Sequence, residues 1–215
     1  MHTHVMKELA DELAPALMIL FQSSLSSGVV PADWRAAHTT PIFKKGEQYD
    51  PTNYRPASLT SVMCKLLEHI VGSAVMRHFE GHGILNDNQH GFRRGRSCET
   101  QLLEFMGELT TNWAQRVASR QMSSCWTSQR PSTVPVTACY STSSSYGVQG
   151  TTNAWISSFL YDRHQAVVVD GSQSSFVSIR SGVPQCPVLG PCLFLAYIND
   201  LPEKLTTQAR QHHTG

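Results

Sequence analysis

ASRQMSSCWTSQRPSTVPVTACYSTSSS, residues 118–145, is the stretch whose reading decides the fold. It holds no Leu, Ile, Phe, Asp or Glu, and 13 of its 28 residues are Ser or Thr. Motif-bearing sequence lies on both sides. Read as a polar linker, it divides the chain into two domains. Read as a damaged element, it leaves one domain with a gap at its centre. The flanks choose between the two.

The chain has 215 residues, enough for one domain with a real core. Its net charge of +1 gives no global argument for polyanion binding, so contact with nucleic acid must come from a local patch. No apolar run reaches the ~18 residues of a spanning helix, and no membrane partner is expected. Cys64, Cys98, Cys125, Cys139, Cys186 and Cys192 form no CxxC pair, and no signal peptide precedes them. They read as free thiols in a reducing, intracellular compartment, with nucleus and cytoplasm undistinguished. The histidines are scattered, without an HExxH or a Cys/His cage, so no metal site is expected from them.

Val5, Leu9, Leu13, Leu17 and Leu20 recur at helical spacing and predict a helix over 5–24, with Pro15 kinking or splitting it. Trp34 to Phe43 suits an extended segment, followed by a turn at Lys44-Lys45-Gly46. A long helix is expected from an N-cap at Ser58 or Thr60 to about Phe79. Its apolar face reads as Val62, Leu66, Leu67, Ile70, Val71, Met76 and Phe79, and Gly81-His82-Gly83 ends it. Ser97 caps a helix with Leu102, Leu103, Met106, Leu109 and Trp113. Trp155, Ile156, Phe159 and Leu160 mark a short helix, and Leu189 to Ile198 a last one. Residues 167–169 and 176–179 read as a β-hairpin about Asp170-Gly171. Helices and short hairpins mix without a βαβ rhythm, which predicts an α+β fold.

Three groups of motifs stand in order. The first is Pro41-Ile42-Phe43-Lys44-Lys45-Gly46, with Asn53-Tyr54-Arg55-Pro56-Ala57-Ser58-Leu59 and Cys64-Lys65-Leu66-Leu67-Glu68. The second is Gln89-His90-Gly91-Phe92-Arg93 with Ser97-Cys98-Glu99-Thr100-Gln101-Leu102. The third is Ser181-Gly182-Val183-Pro184-Gln185, Val188-Leu189-Gly190-Pro191 and Tyr197-Ile198-Asn199-Asp200-Leu201-Pro202. In this order and spacing they resemble the reverse transcriptase domain of non-LTR (LINE-like, jockey-like) retrotransposons, over about 5–117 and 146–205. The resemblance implies a partial right-hand polymerase, fingers plus an incomplete palm. Residues 1–205 would form it: 5–117 fingers-like and the start of the palm, 118–145 aberrant, 146–205 palm-like, and 206–215 a truncated tail without thumb or endonuclease.

A nucleotide triphosphate needs fixed positive charge and bidentate donors. By the resemblance these would be Lys44, Lys45 and Arg55, with Gln185 bordering nucleotide and template. A solvated turn is the plain alternative for the lysines, and a structural salt bridge for Arg55. Arg93, Arg94 and Arg96, beside Phe92, read as a phosphate-backbone patch with a stacking neighbour, or equally as an exposed loop. His90 reads as a packing or hydrogen-bonding residue. The family continues Gly-Ser after the position of Gln185; here Cys186-Pro187 adds a Cβ and removes an N–H, so distortion is expected.

The resemblance implies an RNA/DNA template-primer and dNTP as partners, and two Mg²⁺ ions held by Asp carboxylates. One Asp belongs to a strand the family writes roughly D-V-V-L-L-D-F-S-K-A-F-D, where residues 118–145 stand. Cys125 is TGY and Trp126 TGG, so the codon one base back joining them is YTG, Leu. Trp126 followed by Thr127, ACN, makes GAC, Asp, and the remaining shifted codons permit the rest. The stretch therefore reads as an out-of-frame translation, with the frame restored near Tyr146. The second Asp pair would fall at Gln211-His212-His213-Thr214, and Asp200 reads as a helix-end residue. The expectation is a reverse transcriptase with no catalytic residues and no Mg²⁺ ligands, inactive in this chain. Its alternatives are a non-catalytic nucleic-acid-binding remnant or a non-functional pseudogene product. Residues 118–145 are expected to be irregular, with a palm strand missing.

Overall fold

A computed structural model describes residues 3–116, 136–179 and 188–200. The chain opens with α1 (Thr3–Glu8) and α2 (Ala10–Ser27). The break between them lies at Leu9, not at Pro15. Leu9 has φ −102° and ψ 26°, while hydrogen bonds from Leu9 to Val5 and from Leu13 to Leu9 carry the turn across it. Pro15 sits inside α2 and removes one amide donor to the preceding turn without ending the helix. Gly28 closes α2 in the left-handed region, φ 67°. A Cβ there would lie 2.8 Å from the Ala154 methyl, so the glycine also lets two helices approach.

One helical turn, α3 (Ala32–Arg35), takes the first two residues expected to be extended. It buries Trp34 edge-on against Phe21, ring centres 6.2 Å apart. Strand β1 (Ala36–Phe43) then pairs antiparallel with β2 (Tyr54–Leu59), His38 opposite Leu59 through Phe43 opposite Tyr54. Pro41 faces Pro56. β2 is an edge strand, and Pro41 lies beyond Thr39, the last β1 residue paired on the other side, so neither proline removes a needed donor from a doubly paired strand.

Helix α4 (Val62–Gly81) comes next, with Ser61 as N-cap. Ser58 is no cap: it lies in β2, its hydroxyl 3.5 Å from that of Thr39. The buried stripe of α4 is Cys64, Leu67, Glu68, Val71, Gly72, Val75 and Phe79. Leu66 and Ile70, expected inside, are exposed. The apolar pattern alone misplaces this face because Glu68 belongs to it. Helix α5 (Cys98–Arg116) starts at Ser97, whose hydroxyl accepts from the Thr100 amide at 3.2 Å while Thr100 Oγ1 accepts from the Ser97 amide at 2.8 Å.

Residues 118–135 of the Ser/Thr-rich stretch lie outside the described residues, and so does the question of a missing strand there. Residues 136–145 are not irregular: they form α6 (Val136–Ser145), packed on α7 (Gly150–Leu160) and α8 (Leu189–Ile198). Tertiary packing outweighs the weak propensity of Ser and Thr. The Ser145 hydroxyl donates to the Thr142 carbonyl, and the amides of Tyr146, Gly147 and Val148 donate to the carbonyls of Thr142, Ser144 and Ser143.

After α7, β3 (His164–Val169) returns parallel to β1, Ala36 opposite His164 through Thr39 opposite Val167. Arg35 and Asp162 brace the crossing with a 2.8 Å ion pair. Asp170 and Gly171 have φ 48° and 78°, both positive as a tight two-residue hairpin requires. The partner is β4 (Ser172–Gln173) rather than 176–179. Ser174 then exchanges bonds with Val167, its hydroxyl accepting from the Val167 amide at 2.9 Å, and β5 (Val177–Ser178) pairs with the start of β3. Among the described residues the result is α+β: a five-stranded mixed sheet, order β2-β1-β3-β4 with β5 on β3, beside a helical core. That core joins α4, α7 and α8 through Leu67, Phe79, Trp155, Phe159 and Leu193, with Trp155 stacked on Phe159 at 5.6 Å. Among the described residues no helix is long and apolar enough to cross a membrane.

Candidate nucleic-acid interface

Lys44, Lys45 and Arg55 gather at the end of the β1–β2 hairpin. The Lys44 amide donates to the Asn53 carbonyl at 2.9 Å, extending the ladder one residue past β1. Arg55 stands opposite Ile42, and strand alternation places Lys44 on that same face. The connecting turn is well braced. Asp50 accepts from the Thr52 amide and hydroxyl at 2.8 and 2.7 Å, bonds that hold its carboxyl below the usual range. Asn53 donates to the Glu47 carbonyl and Tyr54 to that of Gln48. Gly46, φ 97°, passes so close to Asn53 that a Cβ would lie 2.7 Å from its amide nitrogen. On this rigid base all three cationic side chains are exposed. Among the described residues none of them has an ion-pair or hydrogen-bond partner for its charge.

The second basic group divides. Arg93 Nη1 donates to the Asn86 carbonyl at 3.0 Å and toward that of Gln89 at 3.5 Å. Arg96 donates to the Asp87 carbonyl and pairs with the Asp87 carboxylate at 3.1 Å. These two hold the loop between α4 and α5. Arg94 is exposed with no such partner among the described residues, beside Phe92, which is 70% exposed. Phe92 (φ 56°) and Gly95 (φ 74°) bend the chain on either side of Arg94. The loop is anchored from a distance by Asn199. Its carbonyl accepts the Asn86 amide at 2.7 Å and its NH₂ donates to the Ile84 carbonyl at 2.7 Å. Asn199 caps the C-terminus of α8 and Asp200 stands in the turn after it.

Gln185 lies outside the described residues; Val188 and Leu189, further along the chain, are held. Glu68, fully buried on α4, accepts the Val188 amide at 2.9 Å and the Leu189 amide at 3.4 Å. It thereby caps the first turn of α8 from 120 residues away. Its other oxygen takes the Cys64 thiol at 3.5 Å. Burial pushes the Glu68 carboxyl above its ordinary value, against the lowering effect of those bonds and of Arg163. The Cys64 thiol is pushed up to about 12, mainly by burial and then by Glu68, so it is no nucleophile. Arg163, 1% exposed, lies under the Phe159 ring at 4.7 Å and donates to the Phe159 carbonyl at 3.1 Å. Burial lowers its pKa, and the nearby Cys64 and Glu68 oppose that. Sequence reasoning missed Glu68, Arg163 and Asn199 as organising residues. For Glu68 the available signal was a carboxylate on an apolar stripe four residues after Cys64; for Arg163 there was none.

A family model described as reverse transcriptase (RNA-dependent DNA polymerase) matches residues 42–214. The chain belongs to the reverse transcriptase family. It is 30% identical over 201 residues to a probable RNA-directed DNA polymerase from transposon BS of Drosophila melanogaster, across 86% of this chain and 20% of that one. It is 28% identical over 203 residues to the RNA-directed DNA polymerase from mobile element jockey of the same species, across 90% and 21%. The retrovirus-related Pol polyprotein from type-1 retrotransposable element R2 of Popillia japonica is 29% identical over 183 residues, across 84% and 25%. The chain thus spans about a fifth to a quarter of these relatives' lengths. The expected kinship with a non-LTR retrotransposon reverse transcriptase domain is borne out. A reverse transcriptase implies nucleic acid and nucleotide substrates and a divalent metal; which of these this chain still takes is a separate matter.

Proposed function

We propose that this chain is a catalytically inactive portion of an RNA-directed DNA polymerase of a non-LTR retrotransposon, and that it retains a template-primer and nucleotide-phosphate surface. The β1–β2 hairpin would serve as fingers. Residues 146–205 would be the remaining palm, and 118–145 the out-of-frame segment standing where the family has its catalytic strand. One observation carries the reading: Lys44, Lys45, Arg55 and Arg94 stand exposed at the β1–β2 hairpin end and on the α4–α5 loop with no partner among the described residues, while 118–145 offers no carboxylate. Phosphate binding needs the first, and two-metal phosphoryl transfer needs the second.

Among the described residues, the donor set does not fit the family's metal. Mg²⁺ takes hard oxygen ligands, chiefly carboxylates. Among the described residues no group of three His, Cys, Asp or Glu side chains converges. Gln185 would border the nucleotide, with Cys186-Pro187 altering the loop that carries it.

The tests separate the parts. Primer extension with Mg²⁺ on purified protein is expected to give only background; template-dependent incorporation would overturn the inactivity. RNA binding is expected to weaken with salt and when Lys44, Lys45, Arg55 and Arg94 become Ala. Salt-independent or unchanged binding would remove the retained surface and leave a non-functional product. Sequencing the DNA across codons 115–150 tests the frame: a codon series without the family's strand in the neighbouring frame would sink that part.

A further inference from the structure

One face of the sheet carries rings, aliphatic side chains and cations, and no carboxylate. Strand pairing sets His38 opposite Leu59, Thr40 opposite Ala57 and Ile42 opposite Arg55, and residues directly opposite share a face. Ala166 of β3 joins them, opposite His38. Lys44 continues the row past Ile42. Phe176, just before β5, brings its ring to His38 in an edge contact, centres 5.7 Å apart. Ile42 is 50% exposed, Leu59 59% and Phe176 46%, so this face stands open. From His38 to Lys44 the row covers about 20 Å of strand. Strands β1 to β5 contain no Asp or Glu. In the flanking turns, Asp50 is turned onto Thr52 and Asp162 onto Arg35, while Glu47 and Asp170 stand in the connections themselves.

We propose that this face is a platform for single-stranded nucleic acid, on which the Phe176 ring stacks a base while Arg55 and Lys44 take backbone phosphates. The platform rests on the reading of the hairpin as a retained nucleic-acid surface, and adds the form of strand that this surface takes. An open apolar sheet face alone would suit a protein. Exposed cations on strands that carry no carboxylate favour a polyanion instead. A ring that is half open to solvent offers a planar surface, and every base has a face to lay on it. In a duplex those base faces are already stacked on one another, so a ring on a sheet meets them only in a single strand. Neither contact reads a base edge or the 2′-hydroxyl, so little preference for sequence or sugar is expected.

Binding of the intact chain to a short labelled oligoadenylate RNA, repeated across a range of salt, tests this. Wild type should prefer the strand severalfold over an RNA hairpin duplex of equal phosphate number, and should bind DNA of the same sequence within a few-fold. Phe176→Leu keeps apolar bulk without the ring. It should weaken binding about fivefold or more, yet leave the slope of log affinity against log salt unchanged, because no phosphate contact is lost. Phe176→Tyr keeps the ring and should bind like wild type. Arg55→Ala should instead lower the slope by about one contact. Salt-dependent binding that is indifferent to Phe176→Leu would overturn the platform, leave the phosphate surface standing, and mark the apolar face as one for a protein. Equal affinity for strand and duplex, or binding of only one of the two sugars, would overturn the platform too. Absence of any salt-dependent binding by wild type would overturn both the platform and the surface it rests on.

Discussion

Helices α4 and α5 are nearly equal in length, 20 and 19 residues, and each has a strong apolar stripe, yet they meet opposite fates. On α4, Leu67 and Phe79 are sealed at 0% exposure against α7 and α8. On α5, Leu102, Leu103, Phe105 and Met106 all face solvent, Leu103 at 72%. An apolar stripe specifies a helix locally, but only a partner makes it a core. The partners of α4 come from α7 and α8, within residues 150–198. Helix α5 instead leads into the Ser/Thr-rich stretch, where the large apolar residues of 118–135 are Met122, Trp126 and Val134. The stretch holds no Leu, Ile or Phe and no Asp or Glu, so the sequence after α5 is as poor in apolar partners as it is in carboxylates.

The comparison breaks most directly with one phenylalanine from each helix. Phe79→Ala is expected to cost about 3–5 kcal/mol in urea unfolding, through lost burial and a residual cavity. Phe105→Ala should cost under about 1 kcal/mol, because the ring is already half in water. Equal losses would mean that α5 is covered in solution.

Glu68 gives the next effect. Glu68→Ala leaves the Val188 and Leu189 amides without their acceptor, and about 3 kcal/mol is expected. Glu68→Gln keeps an acceptor oxygen and behaves differently with pH. Burial raises the folded-state pKa of Glu68 above its ordinary 4.5. The group's stabilising contribution is therefore complete below about 4.5 and is lost as pH rises through the folded value. The neutral Gln carries no such dependence. Denaturation at acid and neutral pH should show wild type gaining on Glu68→Gln as pH falls; a gap that moves the other way would reverse the assigned direction.

Distance along the chain decides how much of this was legible. The Ser97 cap, the Asp170-Gly171 turn, the presence of α7 and the range of α8 rest on neighbours within a few residues, and they were readable. The face of α4 was misread because the Glu68 partner is 120 residues away. The parallel pairing of β1 with β3 joins residues 128 positions apart at Ala36 and His164, beyond any local rule. The helix at 136–145 comes from packing against α7 and α8, not from its own Ser/Thr content. The placement of Lys44, Lys45 and Arg55 at one hairpin end was legible because a turn between two strand-like runs announces its own tip. The Arg cluster was legible only as charge. That two of its three members fasten the loop depends on carbonyls whose direction no composition reveals.

That division within one loop supplies the smallest and most discriminating test. Arg93 and Arg96 spend their donors on Asn86, Gln89 and Asp87, whereas Arg94 spends none within the described residues. Arg94→Ala should leave the melting temperature unchanged, since surface substitutions of this kind stay within about 0.5 kcal/mol. It should weaken RNA binding alike for all sequences and lower the slope of log affinity against log salt by about one contact. Arg93→Ala should do the converse first: lose about 1 kcal/mol by freeing two carbonyls, and change RNA binding only as the loop loosens. Melting curves and salt-dependent binding on the two variants separate the roles. If both variants shift the salt slope equally and neither shifts stability, the loop is held by something other than its arginines, and charge rather than geometry decides what the cluster does.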